Sequence, residues 1–93
     1  MKITIEGMSN RGVFAGSDED GSYVVLSLDD TAEISLGDML SARDWETTGF
    51  ETVKNLTKRE SVRICIEDWG CSKALALTRL KALNSPTKIW WAR

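Results

Sequence analysis

Fourteen carboxylates, two thiols, four indoles and no imidazole set the chemistry open to this 93-residue chain. Without histidine there are no Ser-His or Cys-His nucleophilic pairs, no HExxH zinc sites and no imidazole general base. The carboxylates group as Asp18-Glu19-Asp20, Asp29-Asp30 and Glu67-Asp68. Hard cations favour oxygen-rich loops, but the first group lacks the ligand spacing and the later Glu of an EF-hand loop. Short acids populate turns because they cap backbone amides and stay hydrated, and that reading is favoured here. A carboxylate pair for glycoside hydrolysis needs a cleft and a fixed separation, for which the sequence gives no second cue.

Cys65 and Cys71 are too few for a disulfide framework or a four-thiolate metal site. Their C-x5-C spacing is not the redox CxxC motif. Cys71 near a helix N-terminus would have a lowered thiol pKa, but the favoured reading is a small buried hydrophobe. No motif supplies both a nucleophile and a base, so the sequence implies a protein that is not an enzyme, with no cofactor and no metal.

The tryptophans are the most informative apolar residues. Trp45 and Trp69 read as core residues or as the walls of a pocket. Trp90 and Trp91 are adjacent on an extended C-terminal segment, so their side chains point to opposite faces. Two arrangements satisfy both rings. The strand pairs within its own sheet beneath a helix, or it adds to the sheet of a second copy as a homodimer. Lys88, Ile89, Trp90 and Trp91 are therefore the expected interface.

Charge is unevenly spread. All fourteen acids lie between Glu6 and Asp68, and seven bases accompany them up to Gly70, a balance of −7. From Cys71 onward Lys73, Arg79, Lys81, Lys88 and Arg93 stand without an acid, a balance of +5. Lys73, Arg79, Lys81 and Arg93 could track phosphates beside a stacking tryptophan, but five bases are few and the acidic body repels a polyanion. The preferred reading is a basic helix lying against its own acidic body or a partner's. A third reading makes the acidic body a polyanion mimic, which requires one contiguous carboxylate face.

The elements that position these residues follow from patterning. Alternation in Lys2–Glu6 marks a half-buried strand. Val13–Ala15, Ser22–Leu28 and Ala32–Leu36 continue it through turns at 9–12, 16–21 and 29–30, as an antiparallel meander. Tyr23 and Val25 lie on one face of the third segment and Val24, Leu26 and Leu28 on the other, which marks a central strand. Ser35-Leu36-Gly37-Asp38 could open a short helix or turn between strands, so Gly37–Trp45 stays open. Phe50–Leu56 and Ser61–Asp68 form a hairpin, with Val62, Ile64 and Ile66 on one face. Ser72–Leu83 is helical, with Cys71 or Ser72 as its N-cap, and Asn84-Ser85-Pro86 stops it.

The fold class expected is α+β: a small bent antiparallel sheet or partly open β-barrel of five to seven strands, one C-terminal helix and a terminal strand. One domain, 1–93, divides into an acidic β-rich body (1–70) and a basic helix with its strand (71–93). Leu77, Leu80 and Leu83 are expected to pack on Val62, Ile64 and Ile66. No apolar run reaches the ~20 residues of a membrane span, and the N-terminus lacks a signal-peptide core, so the cytoplasm is expected. The function expected is a non-catalytic binding protein that self-associates, with nucleic-acid binding and polyanion mimicry as alternatives.

Overall fold

The computed structural model describes residues 1–92, so Arg93 lies outside the described residues. The strands are β1 (Lys2–Ser9), β2 (Val13–Ser17), β3 (Tyr23–Leu28), β4 (Met39–Ser41), β5 (Gly49–Asn55) and β6 (Glu60–Cys71), followed by helix α1 (Lys73–Ala82) and β7 (Ile89–Trp91). Strands β1 to β6 close an antiparallel barrel in the order β2-β3-β6-β5-β4-β1, with β1 pairing back onto β2. The expected α+β fold with one helix and a terminal strand is what the chain forms, and the barrel is closed.

Strand β1 organises the ring because three strands share its two edges. Thr4–Met8 pairs with β2 on one edge, and Lys2–Thr4 pairs with β4 on the other. Further along that second edge Gly7, Met8 and Ser9 face Trp91, Trp90 and Ile89 of β7, outside the ring. Between β4 and β7, Ile5 donates to the Asp38 carbonyl and accepts from the Gly37 amide, both at 2.8 Å.

Two apolar clusters follow from the two faces of the sheet. Inside the ring Ile3, Ile5, Phe14, Val24, Leu26, Ile34, Leu40, Trp45, Val53, Val62, Ile64 and Ile66 form the main core. On the outer face Val13, Ala15, Tyr23, Val25 and Cys71 pack under Ala76 and Leu80 of α1, with Leu83, Ile89 and Trp91 beside them. The apolar groups on both faces of β3 are thus explained: one face lines the barrel, the other carries the helix.

This corrects the expected helix packing. Val62, Ile64 and Ile66 point into the barrel, since closure of the ring takes their whole face inward, and they do not meet the helix. Leu80 and Leu83 dock on outward residues of β2 and β3 instead, with Leu77 only half-buried. Only Ala76 and Leu80 of α1 are fully buried. A buried leucine is worth about 2–3 kcal/mol, so the helix is held far less firmly than the ring. Ser72 is its N-cap, accepting from the Leu75 amide at 3.2 Å.

The segment Ala32–Leu36 is also corrected, since it is irregular and not a strand. Side chains take over the backbone's hydrogen bonding there. Asp30 accepts from the Thr31 and Ala32 amides at 2.7 and 3.3 Å, and Asp38 accepts from Ser35 at 2.9 Å. Ile34 drops into the core from this loop. The open segment Gly37–Trp45 resolves as a short strand, Met39–Ser41, and a loop.

A polar knot closes this end of the barrel. The buried Asp38 carboxylate accepts from Asn55 Nδ2 at 2.9 Å and forms an ion pair with Lys58 Nζ, which also donates to Ser35 Oγ at 2.8 Å. Asn55 Oδ1 in turn accepts from the amides of Thr57 and Lys58, both at 3.1 Å. Burial pushes the Asp38 carboxyl up, but the hydrogen bonds from Lys58, Asn55 and Ser35 outweigh it and hold the group below its ordinary value.

Candidate binding surfaces at the C-terminal arm

After α1 the chain turns back sharply. Leu83 caps the helix through its amide to the Arg79 carbonyl at 3.0 Å, and Asn84 and Ser85 then take left-handed φ of 60° and 45°. The arm regains the barrel at Asn10, whose side chain acts as a clamp. Asn10 Nδ2 donates to Thr87 Oγ1 at 2.7 Å, and its Oδ1 accepts from the amides of Thr87 and Lys88 at 3.0 and 3.2 Å. The Asn10 amide donates to the Lys88 carbonyl at 3.0 Å, and the Ala92 amide donates to the Glu6 carbonyl at 2.6 Å.

Positions 88 and 92 bond to β1, and bonding alternates along an antiparallel strand. The amides and carbonyls of Ile89 and Trp91 therefore face the outer edge of β7. Among the described residues β7 pairs only with β1.

The two terminal indoles do part to opposite faces. Trp91 turns to the helix side and lies flat over Gly7, where a Cβ would sit 2.3 Å from its ring. A glycine inside a strand often marks such a close approach, and that signal at Gly7 was not read from the sequence. Tyr23 flanks the indole at 5.8 Å between centroids, and Lys73 Nζ stands 5.6 Å from its ring. Tyr23 O–H donates to Glu6 Oε1 at 3.1 Å, and Glu6 also accepts from Ser17. Burial and Glu6 together push the Tyr23 phenol up. Trp91 Nε1 is buried with no hydrogen-bond partner among the described residues.

Trp90 turns the other way and is 43% exposed. With Met8, Ile34 and Leu36 it lines an open, mainly apolar groove of about 430 Å³, rimmed by Glu33 and Ser35. Neither Met8 nor the loop residues were among the expected site residues; only the placement of β7 beside β1 brings them together.

Trp45 and Trp69 meet at the opposite end of the barrel. They share a cleft of about 240 Å³ with Met1, Val24, Asp18, Asp20 and Glu46. Trp45 is buried in the core and its Nε1 donates to the Met1 carbonyl at 3.0 Å, whereas Trp69 is 40% exposed. Register shifts between Tyr23 and Leu26 opposite β6 change which residues of β6 face outward near Trp69.

The basic residues do not converge. Lys73 stands over Trp91 of the same C-terminal piece, and Arg79 Nε pairs with Asp68 at 3.2 Å, where the helix lies against its own acidic body. Lys81 is exposed on the far side of α1, and Lys88 lends its backbone to the Asn10 clamp. The acids spread over both ends of the barrel and its outer wall, from Asp18–Asp20 to Asp29–Asp30 and Glu67.

The thiols are quiet. Cys71 is buried, and burial followed by the nearby Asp68 pushes its thiol up. Burial and Glu67 do the same at the half-buried Cys65. The thiol of Cys71 is therefore not activated at the helix start, because burial and Asp68 hold it up. Among the described residues no group of three or more Cys, Asp and Glu could hold a metal ion, and no helix is long and apolar enough to cross a membrane. The chain matches no protein-family model, no curated protein and no solved structure.

Proposed function

We propose that this chain is a non-catalytic binding protein that self-associates as a homodimer through its C-terminal segment. Ile89, Trp90 and Trp91, with the backbone of Lys88, form the contact. The observation that carries the reading is Trp90: a large aromatic, 43% exposed, in an apolar groove beside an unpaired strand edge. Exposed apolar grooves of this kind mark contact sites, and tryptophans dominate contact energies where they are buried by a partner. The two unbridged cysteines fit a reducing compartment such as the cytoplasm. Nucleic acid is the weaker reading, because Lys73 and Arg79 are turned to Trp91 and Asp68 of their own chain. Polyanion mimicry draws no support from carboxylates dispersed over both ends.

Sedimentation velocity on the wild-type chain and on Trp90→Ser tests the proposal. The wild type is expected to be a dimer that dissociates on dilution. Loss of a buried anchor weakens association by about 2 kcal/mol, or some thirtyfold in Kd. Because Trp90 lies at the surface outside both buried clusters of the single chain, the variant keeps its fold. A wild type that stays monomeric at every concentration, or a dimer indifferent to Trp90→Ser, overturns the reading.

A further inference from the structure

We infer that the dimer forms by exchange of the C-terminal arm, with residues 84 onward of one copy seated on β1 of the other. This rests on the self-association proposed above and adds how the two copies join. The first ground is a conflict at the hinge. Ser85 precedes Pro86, and a residue before proline strongly prefers an extended backbone. In the single chain Ser85 instead holds φ 45°, directly after Asn84 at φ 60°. Left-handed backbone is unfavourable for a side-chain-bearing residue, and serine has less excuse for it than asparagine. Extending the hinge removes the conflict, and short strained hinges are what drive exchange of a terminal element.

The second ground is the seat itself. Gly7 leaves a bare patch of β1 on which an indole lies flat, and the Asn10 side chain takes both polar groups of Thr87 and the amide of Lys88. Every one of these contacts recurs unchanged when the arm arrives from a second copy, so exchange loses none of them. The third ground is reach and place. Residues 84–88, once extended, span at most about 17 Å. They leave the helix at the end of the barrel that carries Asn10 and the Trp90 groove. Two copies that trade arms therefore bring these two ends together. The Trp45 end instead carries the start of β1, with Met1 bonded to Ala42 and Trp45.

The hinge variant Asn84→Gly/Ser85→Gly makes the left-handed turn easy while touching no residue of the seat. It stabilises the closed single chain, so the dimer is expected to weaken by at least about tenfold in Kd. A dimer formed only by edge contact of closed chains would keep its Kd. A second variant, Ser9→Cys/Ile89→Cys in a Cys65→Ser background, places thiols on facing residues of β1 and β7. After oxidation of the isolated dimer, denaturing non-reducing electrophoresis is expected to show covalently joined pairs of chains. A wild-type monomer overturns both the exchange and the self-association it rests on. A wild-type dimer with only intrachain links, or with a Kd blind to the hinge change, overturns the exchange alone.

Discussion

Trp45 and Trp91 bury the same side chain in two regions that treat it differently. Trp45 hangs from the loop between β4 and β5 into the barrel, is 3% exposed, and places its N–H 3.0 Å from the Met1 carbonyl. Trp91 ends a three-residue strand outside the ring, lies on Gly7 and Tyr23, and keeps a buried N–H without a partner among the described residues. A buried polar group left unpaired costs about 1–3 kcal/mol. Trp45 in the ring is thus fully bonded, while the arm is held by good shape and imperfect hydrogen bonding. Such a segment is well suited to leave its seat and meet a partner, and a core indole is not.

The largest effect that separates the two regions is expected from Trp45→Ala. The substitution empties a core position and takes one of two donors from the Met1 carbonyl, which keeps the Ala42 amide at 3.0 Å, for a loss of about 3–5 kcal/mol. Urea denaturation followed through the remaining tryptophans measures it. A loss below about 1 kcal/mol would mean that the loop, not the core, owns Trp45, and the contrast with Trp91 would fail.

Asp38→Ala comes next and tests whether the ring is equally complete at its other end. The change strips a carboxylate from Lys58, Asn55 Nδ2 and the Ser35 amide at once. Breaking such a network costs about 2–4 kcal/mol, tempered by the partial exposure of Lys58. The pH dependence has a definite sign. The folded carboxyl lies below its ordinary value of 3.8, so the wild type holds this stability in full above that value. It loses it as pH falls below 3.8 through the folded pKa. Asp38→Ala should flatten that acid limb while lowering stability at neutral pH. A variant with an unchanged limb would assign the acid sensitivity to other groups. The Asn10 clamp on the arm makes its bonds through an uncharged, exposed side chain and is expected to carry no such limb.

Much of the ring was legible in the sequence because period-2 patterning reports burial directly. The inward set of β6, Val62, Ile64 and Ile66, and the doubled apolar faces of β3 are both legible in the sequence alone. What β3 carries on its second face is not, because patterning says that a face is covered and not by what. The helix was therefore assigned to the wrong wall: its partners are Val13, Ala15, Tyr23 and Val25. Ala32–Leu36 failed for a different reason. Its alternation was real, but Asp30 and Asp38 bond to the backbone locally and replace a strand partner. The Trp90/Trp91 division was legible from adjacency alone. The groove beside Trp90 was not, since Met8, Ile34 and Leu36 meet it only through the placement of β7 beside β1.

The smallest expected effect is also the sharpest form of the comparison: the same conservative change made at both indoles. Trp45→Phe removes a satisfied donor, leaves the Met1 carbonyl to the Ala42 amide alone and opens a gap, for about 1–2 kcal/mol. Trp91→Phe removes a donor that has no partner among the described residues. The relief offsets the lost area and the weaker cation–π contact with Lys73, which is worth about 0.5–1 kcal/mol at a half-exposed site. The net change is expected to lie within about 0.5 kcal/mol of zero, the range of an ordinary surface substitution. Paired denaturation curves decide it. If Trp91→Phe costs as much as Trp45→Phe, then the Trp91 N–H has a partner in the folded protein. The arm would then be as completely bonded as the ring. If the two differ by the expected margin, the incompleteness is built into the arm itself, at the residue that must leave β1 when arms are exchanged.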